Sequence, residues 1–332
     1  MLKHIPNIVL NNGTSQPLVG YGTYKVGYVP PSASGSKGVA KGHADDAEDI
    51  VAKAISLGYR FLDCAQFYGN EAAVGCAIEK SKVSRSELFL ASKIWCDNIY
   101  KGSEAIRSQV ERTLKDLKTK YLDLYLIHWP VPGKHVQAYK TLEKLVEKGL
   151  IRSIGFSNYT IEDYEELKRE GIRVRPVVNQ IEVNPFLFRK KTIAYFQKKE
   201  GIVIQAYRGL RQGKHLNHPL LVELSEKYEK SPAQIMGRFV VQSGVVYITK
   251  SIKASRMLEN ADIFDFEIET KDMSRLCNLT TPQNLDTFRS LYFKCIVRDT
   301  PLETEVTTTT NTATSAAAAT TTTTQRKIIT IE

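Results

Sequence analysis

The chain has 332 residues, 42% hydrophobic and 25% charged, with a formal net charge of +10. That is enough for one large α/β domain or two smaller ones with a sizeable core, and no apolar run approaches the ~20 residues that a membrane-spanning helix needs. Basic residues are mixed with acidic ones, as in "VEKGLIRS" and "EDYEELKRE", so the charge reads as a solvated surface and not as a nucleic-acid face.

The first residues, "MLKHIPNIVLNNG", lack the charged start, long apolar middle and small-residue cleavage site of a signal peptide. Cys64, Cys76, Cys96, Cys277 and Cys295 form no CxxC pair. They read as reduced thiols of a cytoplasmic protein with no metal site.

In chain order, two short apolar runs flank Asn12-Gly13, the pattern of a β-hairpin. A Gly/Pro/Ser-rich loop follows, with the insertion "YVPPSASGSKGVAKGH" over 28–43. Beyond it, helical patterns near 44–57, 71–80, 102–118, 136–148, 160–169, 189–200, 231–243 and 254–261 alternate with apolar runs. The runs are "RFLD", "LFLASK", "LDLYLIH", "SIGFSN", "PVVNQ", "IVIQAY" and "VVYITK", and "LVGYGT" near the start makes eight. Eight strand–helix pairs over about 250 residues have the rhythm of a (β/α)8 TIM barrel. A doubly wound sheet is the competing architecture, but no GxGxxG follows a strand, since "GYGTYK" lacks the third glycine, and no GxxxxGK[ST] loop occurs. We therefore expect one barrel domain over 1–302. The Thr/Ala-rich segment 303–332 has too few large apolar residues to bury a core and reads as a disordered tail.

The strand ends carry the chemistry. Strands buried on both faces are apolar throughout, yet these end in Asp63, Lys93, His128, Ser157-Asn158, Gln180, Tyr207 and Lys250-Ser251. All are C-terminal ends, which a barrel gathers at the mouth where its active site lies. Tyr68 stands five residues beyond Asp63. A phenol is a weak acid near pKa 10, and a nearby ammonium favours its ionised form. Lys93 is expected to lower the Tyr68 pKa, Asp63 to balance Lys93, and His128 to orient a carbonyl oxygen. That makes a general acid aimed at a carbonyl, suited to reduction with a hydride-carrying cofactor. Ser157, Asn158 and Gln180 can hold a nicotinamide carboxamide, and Tyr207 can stack on its ring. No GxSxG elbow offers an acyl nucleophile.

The segments "GYRFLDCAQFYGNEAAVG", "LFLASKIW", "YLDLYLIHWP", "IRSIGFSN", "VVNQIEVNP" and "KSIKASRMLENADIFDFEI" together resemble the aldo-keto reductases, in order over residues 5 to 270. The resemblance implies a monomeric TIM barrel that reduces aldehydes, ketones or sugar carbonyls with NADPH. It implies Tyr68 as proton donor, tuned by Lys93 and Asp63, with His128 orienting the substrate. Gly22, Thr23, Tyr24 and Asp63 would lie near the nicotinamide, beside Ser157, Asn158, Gln180 and Tyr207. "TKSIKASRMLEN" is similar to the family's phosphate clasp, with Lys250, Ser251 and Arg256 on the adenosine 2′-phosphate and Glu259 and Asn260 near the adenine. Tyr24, Trp95 and Trp129 would wall the substrate pocket. After Tyr207 the chain departs from the family's Ser-Pro-Leu, reading "YRGLRQGK", which makes Arg208, Arg211 or Lys214 candidate phosphate contacts. The segment "TPQNLDTFRSLYFKCIVRDTPLE" does not match the family's better-known substrate loops. A second implied role is that of the barrel-shaped regulatory subunits of potassium channels, which also keep the cofactor site.

Overall fold

A computed structural model describes residues 1–2, 4–27 and 44–298; the 28–43 insertion and the 303–332 tail lie outside them. Strands β3 (Val19–Gly22), β4 (Phe61–Asp63), β5 (Phe89–Ile94), β6 (Leu124–Ile127), β7 (Ile154–Ser157), β8 (Val178–Glu182), β9 (Val203–Tyr207) and β10 (Val246–Thr249) are all parallel. They close into one barrel, with β10 pairing both β9 and β3. Each of the eight apolar runs is a barrel strand, so the expected fold holds.

The hairpin holds as well: β1 (Asn7–Val9) pairs antiparallel with β2 (Ser15–Pro17). Its turn is tied to the strand-entry end of the barrel. Asn11 Nδ2 donates to Pro176 O at 2.9 Å and Asn12 Nδ2 to Ser153 Oγ at 2.9 Å, both just before strands. Leu10 packs with Phe61, Phe89, Leu124, Leu126, Val178, Val203 and Val246 in one buried cluster, so the hairpin floors the barrel.

Side chains alternate across a strand. The inward set therefore reads Phe61 then Asp63, Ala91 then Lys93, Leu126 then His128, Gly155 then Ser157, Val178 then Gln180, and Val203 then Gln205. Apolar residues fill the lower layers and polar ones the upper. Gly20 belongs to this packing, because a Cβ there would come within 2.3 Å of the Phe61 ring.

The outer helices are α1 (Ala44–Leu57), α2 (Glu71–Ser81), α3 (Cys96–Lys101), α4 (Ser103–Asp116), α5 (His135–Glu147), α6 (Ile161–Arg169), α7 (Lys190–Ala194), α8 (Pro219–Tyr228), α9 (Pro232–Gln242), α10 (Ala254–Ala261), α11 (Thr270–Cys277) and α12 (Pro282–Arg298). Helix α7 continues as one π turn over Tyr195–Lys199, which completes the helix expected near 189–200. Helices α3, α8, α11 and α12 were not expected. The last has an apolar stripe at Leu285, Phe288, Tyr292 and Cys295, the i, i+3, i+7 spacing of a packed face. It is anchored at α6, whose cap is reciprocal: Asp163 N donates to Thr160 Oγ1, and Asp163 Oδ2 accepts from Thr160 N at 2.9 Å. The same Oδ2 accepts from Tyr292 Oη at 2.9 Å, so α12 is pinned beside the barrel mouth. No helix among the described residues is long and apolar enough to cross a membrane.

Candidate active site

At the strand-exit mouth lies a cavity of about 1030 Å³. Its wall includes Gly22, Tyr24, Asp63, Tyr68, Trp95, His128, Trp129, Ser157, Asn158, Gln180, Tyr207, Lys250, Ser251, Arg256, Glu259 and Asn260. Of the expected catalytic, cofactor and pocket residues only Lys93 and Thr23 are off the wall. Lys93 lies directly behind it. Thr23 is fully buried and its hydroxyl donates to Asp63 O at 3.0 Å, so it braces the strand end instead of facing the cavity.

Lys93 is fully buried on β5, and its ammonium reaches three acceptors. Nζ donates to Asp63 Oδ1 at 2.7 Å, to Cys64 O at 2.8 Å and to Tyr68 Oη at 3.2 Å. All three ammonium hydrogens thus have partners, which is what keeps a charge tolerable in the interior. Tyr68 ends a short 3-10 turn, Gln66–Tyr68, that carries its ring back over the mouth.

The electrostatics correct one expectation. The phenol of Tyr68 is pushed well above 10, first by burial and then by the Asp63 carboxylate. Proximity to Lys93 does not reverse that direction, because desolvation penalises the phenolate more. Tyr68 thus enters any reaction with its proton in place. The imidazole of His128 is held well below 6.5, first by burial and then by the Lys93 ammonium. It is a neutral ring at physiological pH. Its Nδ1 is sealed without a partner among the described residues, so Nε2 is the nitrogen left to the cavity.

Opposite this group, three polar residues are interlocked. Asn158 has left-handed backbone, φ 63°, which asparagine tolerates better than most residues. Its Nδ2 donates to His128 O at 3.1 Å and to Ser157 Oγ at 3.0 Å. Its Oδ1 accepts from Tyr207 Oη at 2.7 Å, which sets the Tyr207 ring across the mouth. Ser157 Oγ donates to Gln180 O at 2.8 Å.

One limb of the cavity is aromatic. Phe67 stacks on Trp95 with centroids 4.0 Å apart, and Trp95 meets His128 edge-on at 4.9 Å. Leu291 and Cys295 of α12 complete that wall beside Trp129. The other limb is cationic, with Lys25, Arg208, Lys250, Lys253 and Arg256. Among the described residues Lys25, Lys250, Lys253 and Arg256 make no ion pair. Burial, and then the Lys25 ammonium, lowers Lys250 below its ordinary range. Two buried tyrosines hold the backbone of this limb: Tyr21 Oη donates to Ser251 O and Tyr59 Oη to Met257 O, each at 2.8 Å.

The loop after β9 resolves the departure at "YRGLRQGK". Arg208 lines the cavity and pairs with Glu182 at 3.4 Å, whereas Arg211 and Lys214 are off the wall and Arg211 Nη1 donates to Asn284 Oδ1. Arg208, Arg211 and Gln212 all have positive φ, a cluster of non-glycine strain typical of functional loops. Sequence reasoning missed Lys25, Phe67, Leu291 and Cys295. Lys25 and Phe67 adjoin Tyr24 and Tyr68 in the chain, and the apolar spacing of α12 was the signal for the other two.

The Aldo/keto reductase family profile matches residues 19–280. The chain belongs to the aldo/keto reductase family. It is 40% identical over 269 residues to the glyoxal reductase of Bacillus subtilis, covering 81% of this chain and 91% of that protein. It is 35% identical to aldo-keto reductase family 1 member A1 of Gallus gallus, covering 82% of this chain and 88% of that one. Among solved structures, an aldo/keto reductase from Brucella melitensis superposes with a TM-score of 0.74 at 36% identity, covering 83% of this chain and 100% of that one. A Bombyx mori aldo-keto reductase solved with NADP gives 0.73 at 30% identity, over 84% and 94% of the two chains. Aldo-keto reductases are oxidoreductases that use nicotinamide cofactors on small carbonyl compounds.

Proposed function

We propose that this aldo-keto reductase reduces aldehydes or ketones to alcohols with NADPH, and that Tyr68 donates the proton. The observation that carries the reading is the buried hydrogen-bonded set Asp63–Lys93–Tyr68 facing neutral His128 across one cavity. A carbonyl oxygen seated between Tyr68 Oη and His128 Nε2 accepts from both. As that oxygen gains charge, Tyr68 passes it the phenolic proton, and Lys93 stabilises the phenolate left behind. Asp63 holds the ammonium in place while this happens.

The residues present fit a dinucleotide. When bound, NADPH supplies the hydride for the carbonyl carbon. Ser157, Asn158 and Gln180 would hold its carboxamide, and Tyr207 would offer a ring to stack on. Lys250, Ser251 and Arg256 stand at the start of α10, where two cations, a hydroxyl and a helix N-terminus favour a 2′-phosphate. Arg208 is the cation nearest in the chain to the stacking tyrosine and takes the place of the family's serine there. Glu259 and Asn260 lie on the same limb for the adenine.

The aromatic limb sets the substrate. Phe67, Trp95, Trp129 and Leu291 present no charge, which favours small or apolar carbonyl compounds over acidic sugars. The glyoxal reductase relative makes small dicarbonyls the first candidates. The test is NADPH oxidation followed spectrophotometrically with glyoxals, aliphatic and aromatic aldehydes, aldoses and uronates. Turnover of the first groups with NADPH supports the reading. No turnover of any carbonyl with either NADPH or NADH overturns it.

A further inference from the structure

Below the mouth, a row of buried amides runs down the barrel axis from Asp63 to the hairpin floor. Gln180 Nε2 donates to Asp63 Oδ1 at 2.8 Å and to Gln205 Oε1 at 2.9 Å. Gln205 Nε2 in turn donates to Gln16 Oε1 at 3.1 Å. Gln205, on β9, and Gln16, on β2, are both fully buried and neither lines the cavity.

The direction of each amide follows from chemistry. Asp63 Oδ1 already accepts from the Lys93 ammonium, so it has no hydrogen to offer and must face the nitrogen of Gln180. A primary amide carries two N–H hydrogens, and Asp63 and Gln205 take both. The only polar atom that Gln180 has left for a ligand is its carbonyl oxygen. At the far end of the row, Gln16 Nε2 is buried without a partner among the described residues. A buried donor without an acceptor is destabilising, and aliphatic side chains would fill the same space without that cost. The polarity at positions 16 and 205 therefore serves something other than packing.

We propose that Gln205, held in turn by Gln16, is a positioning residue: it locks the Gln180 amide with Oε1 toward the cavity, so that the site selects a cofactor bearing an N–H donor at that point. The proposal rests on the nicotinamide reading above. It goes further in making selection for the carboxamide, over an isosteric ketone, depend on two residues that touch no ligand.

The test measures dissociation constants by quenching of the two tryptophans, Trp95 and Trp129, both on the cavity wall. The probes are NADP+ and its 3-acetylpyridine analogue, whose methyl ketone has no N–H. The wild type should prefer NADP+ by about tenfold, the worth of one good hydrogen bond. Gln205→Met should weaken NADP+ by about five- to tenfold, leave the analogue within about twofold, and so erase the preference. Gln205→Glu in its neutral form offers the same acceptor to Gln180 and the same donor to Gln16. A carboxyl keeps an acceptor for the Gln180 amide in either protonation state, so this variant should retain the preference, and its loss would count against the proposal. A wild-type ratio retained in folded Gln205→Met overturns the positioning role and leaves the cofactor reading standing. Failure of NADP+ to bind the wild type overturns both. Should Gln205→Met not fold, Gln16→Met reads the same ratio, with a smaller fall expected and an unchanged ratio counting against the proposal.

Discussion

The Lys93 ammonium and the Tyr68 phenol lie 3.2 Å apart, with the ammonium fully buried and Asp63 Oδ1 2.7 Å from the same nitrogen. The contact becomes much stronger when the phenol loses its proton than while it keeps it. That difference is what favours a transition state over a ground state. Tyr68→Phe removes the transferable proton and keeps the ring. Its kcat for aldehyde reduction should fall by about 10²- to 10⁴-fold, with NADPH affinity within about twofold of wild type. Stopped-flow reduction and a fluorescence titration separate the two, and undiminished turnover would reassign the proton donor.

Arg256 and Lys250 lie on the cationic limb and make no ion pair among the described residues. Replacing either by alanine should raise the Kd for NADPH by about ten- to a hundredfold, the loss of a charge-assisted hydrogen bond. The Kd for NADH, which lacks the 2′-phosphate, should move by less than about threefold. Parallel titrations decide it, and equal losses for both cofactors would remove the clasp.

Glu71 gives the fold a pH signature. This buried acid at the start of α2 accepts from Ser92 Oγ at 2.5 Å and from Thr113 Oγ1 at 3.0 Å, and burial pushes it up from 4.5 to about 7. A raised carboxyl pKa means that the folded state binds the proton more tightly than the unfolded one. The contribution is present in full below pH 4.5 and is lost as pH rises through about 7, a change of about 3 kcal/mol. His128 acts in the opposite sense. Its pKa is lowered, so stability falls as pH drops below 6.5. The difference between wild type and Glu71→Gln isolates the first term. Denaturant melts should show the variant gaining on wild type between pH 5 and 8, and a pH-independent difference would refute the assignment.

Tyr292 links α12 to the α6 cap while its neighbour Leu291 lines the cavity. Tyr292→Phe deletes one hydrogen bond, leaves Asp163 its two bonds from Thr160, and should cost about 1 kcal/mol. The helix then sits less firmly on the substrate limb. We expect KM for bulky aldehydes to rise by about three- to tenfold while NADPH binding stays put. Equal KM values for bulky and small aldehydes across the two proteins would show that α12 does not shape the site.

The barrel was legible because its inward residues obey a period of two, and because Asp63, Lys93, His128 and Gln180 break the apolar pattern at equivalent places. That these residues would meet at one mouth followed from their places at the strand ends. Distance along the chain hid the rest. Nothing near Gln205 announces that its amide meets Gln16, 189 residues away, and nothing near Asp163 announces Tyr292, 129 residues on. Those contacts come from closing the barrel. The direction of the Tyr68 shift was misread for a related reason: charges can be listed from a sequence, but the desolvation that outweighs Lys93 is a property of the packed mouth. Helix α12 is a plainer miss, since its stripe was present and only its lack of resemblance to known loops was weighed.

Strand β10 joins the last barrel strand to the first, with Tyr247 opposite Val19 and Thr249 opposite Tyr21. Lys250 and Ser251 follow it directly. During synthesis, then, a ribosome that has released the first two hundred residues has already made Asp63, Tyr68, Lys93 and His128, but not the strand that closes the ring around them. The seam between β9 and β3 stays open until β10 is made. The complete mouth therefore forms late and all at once.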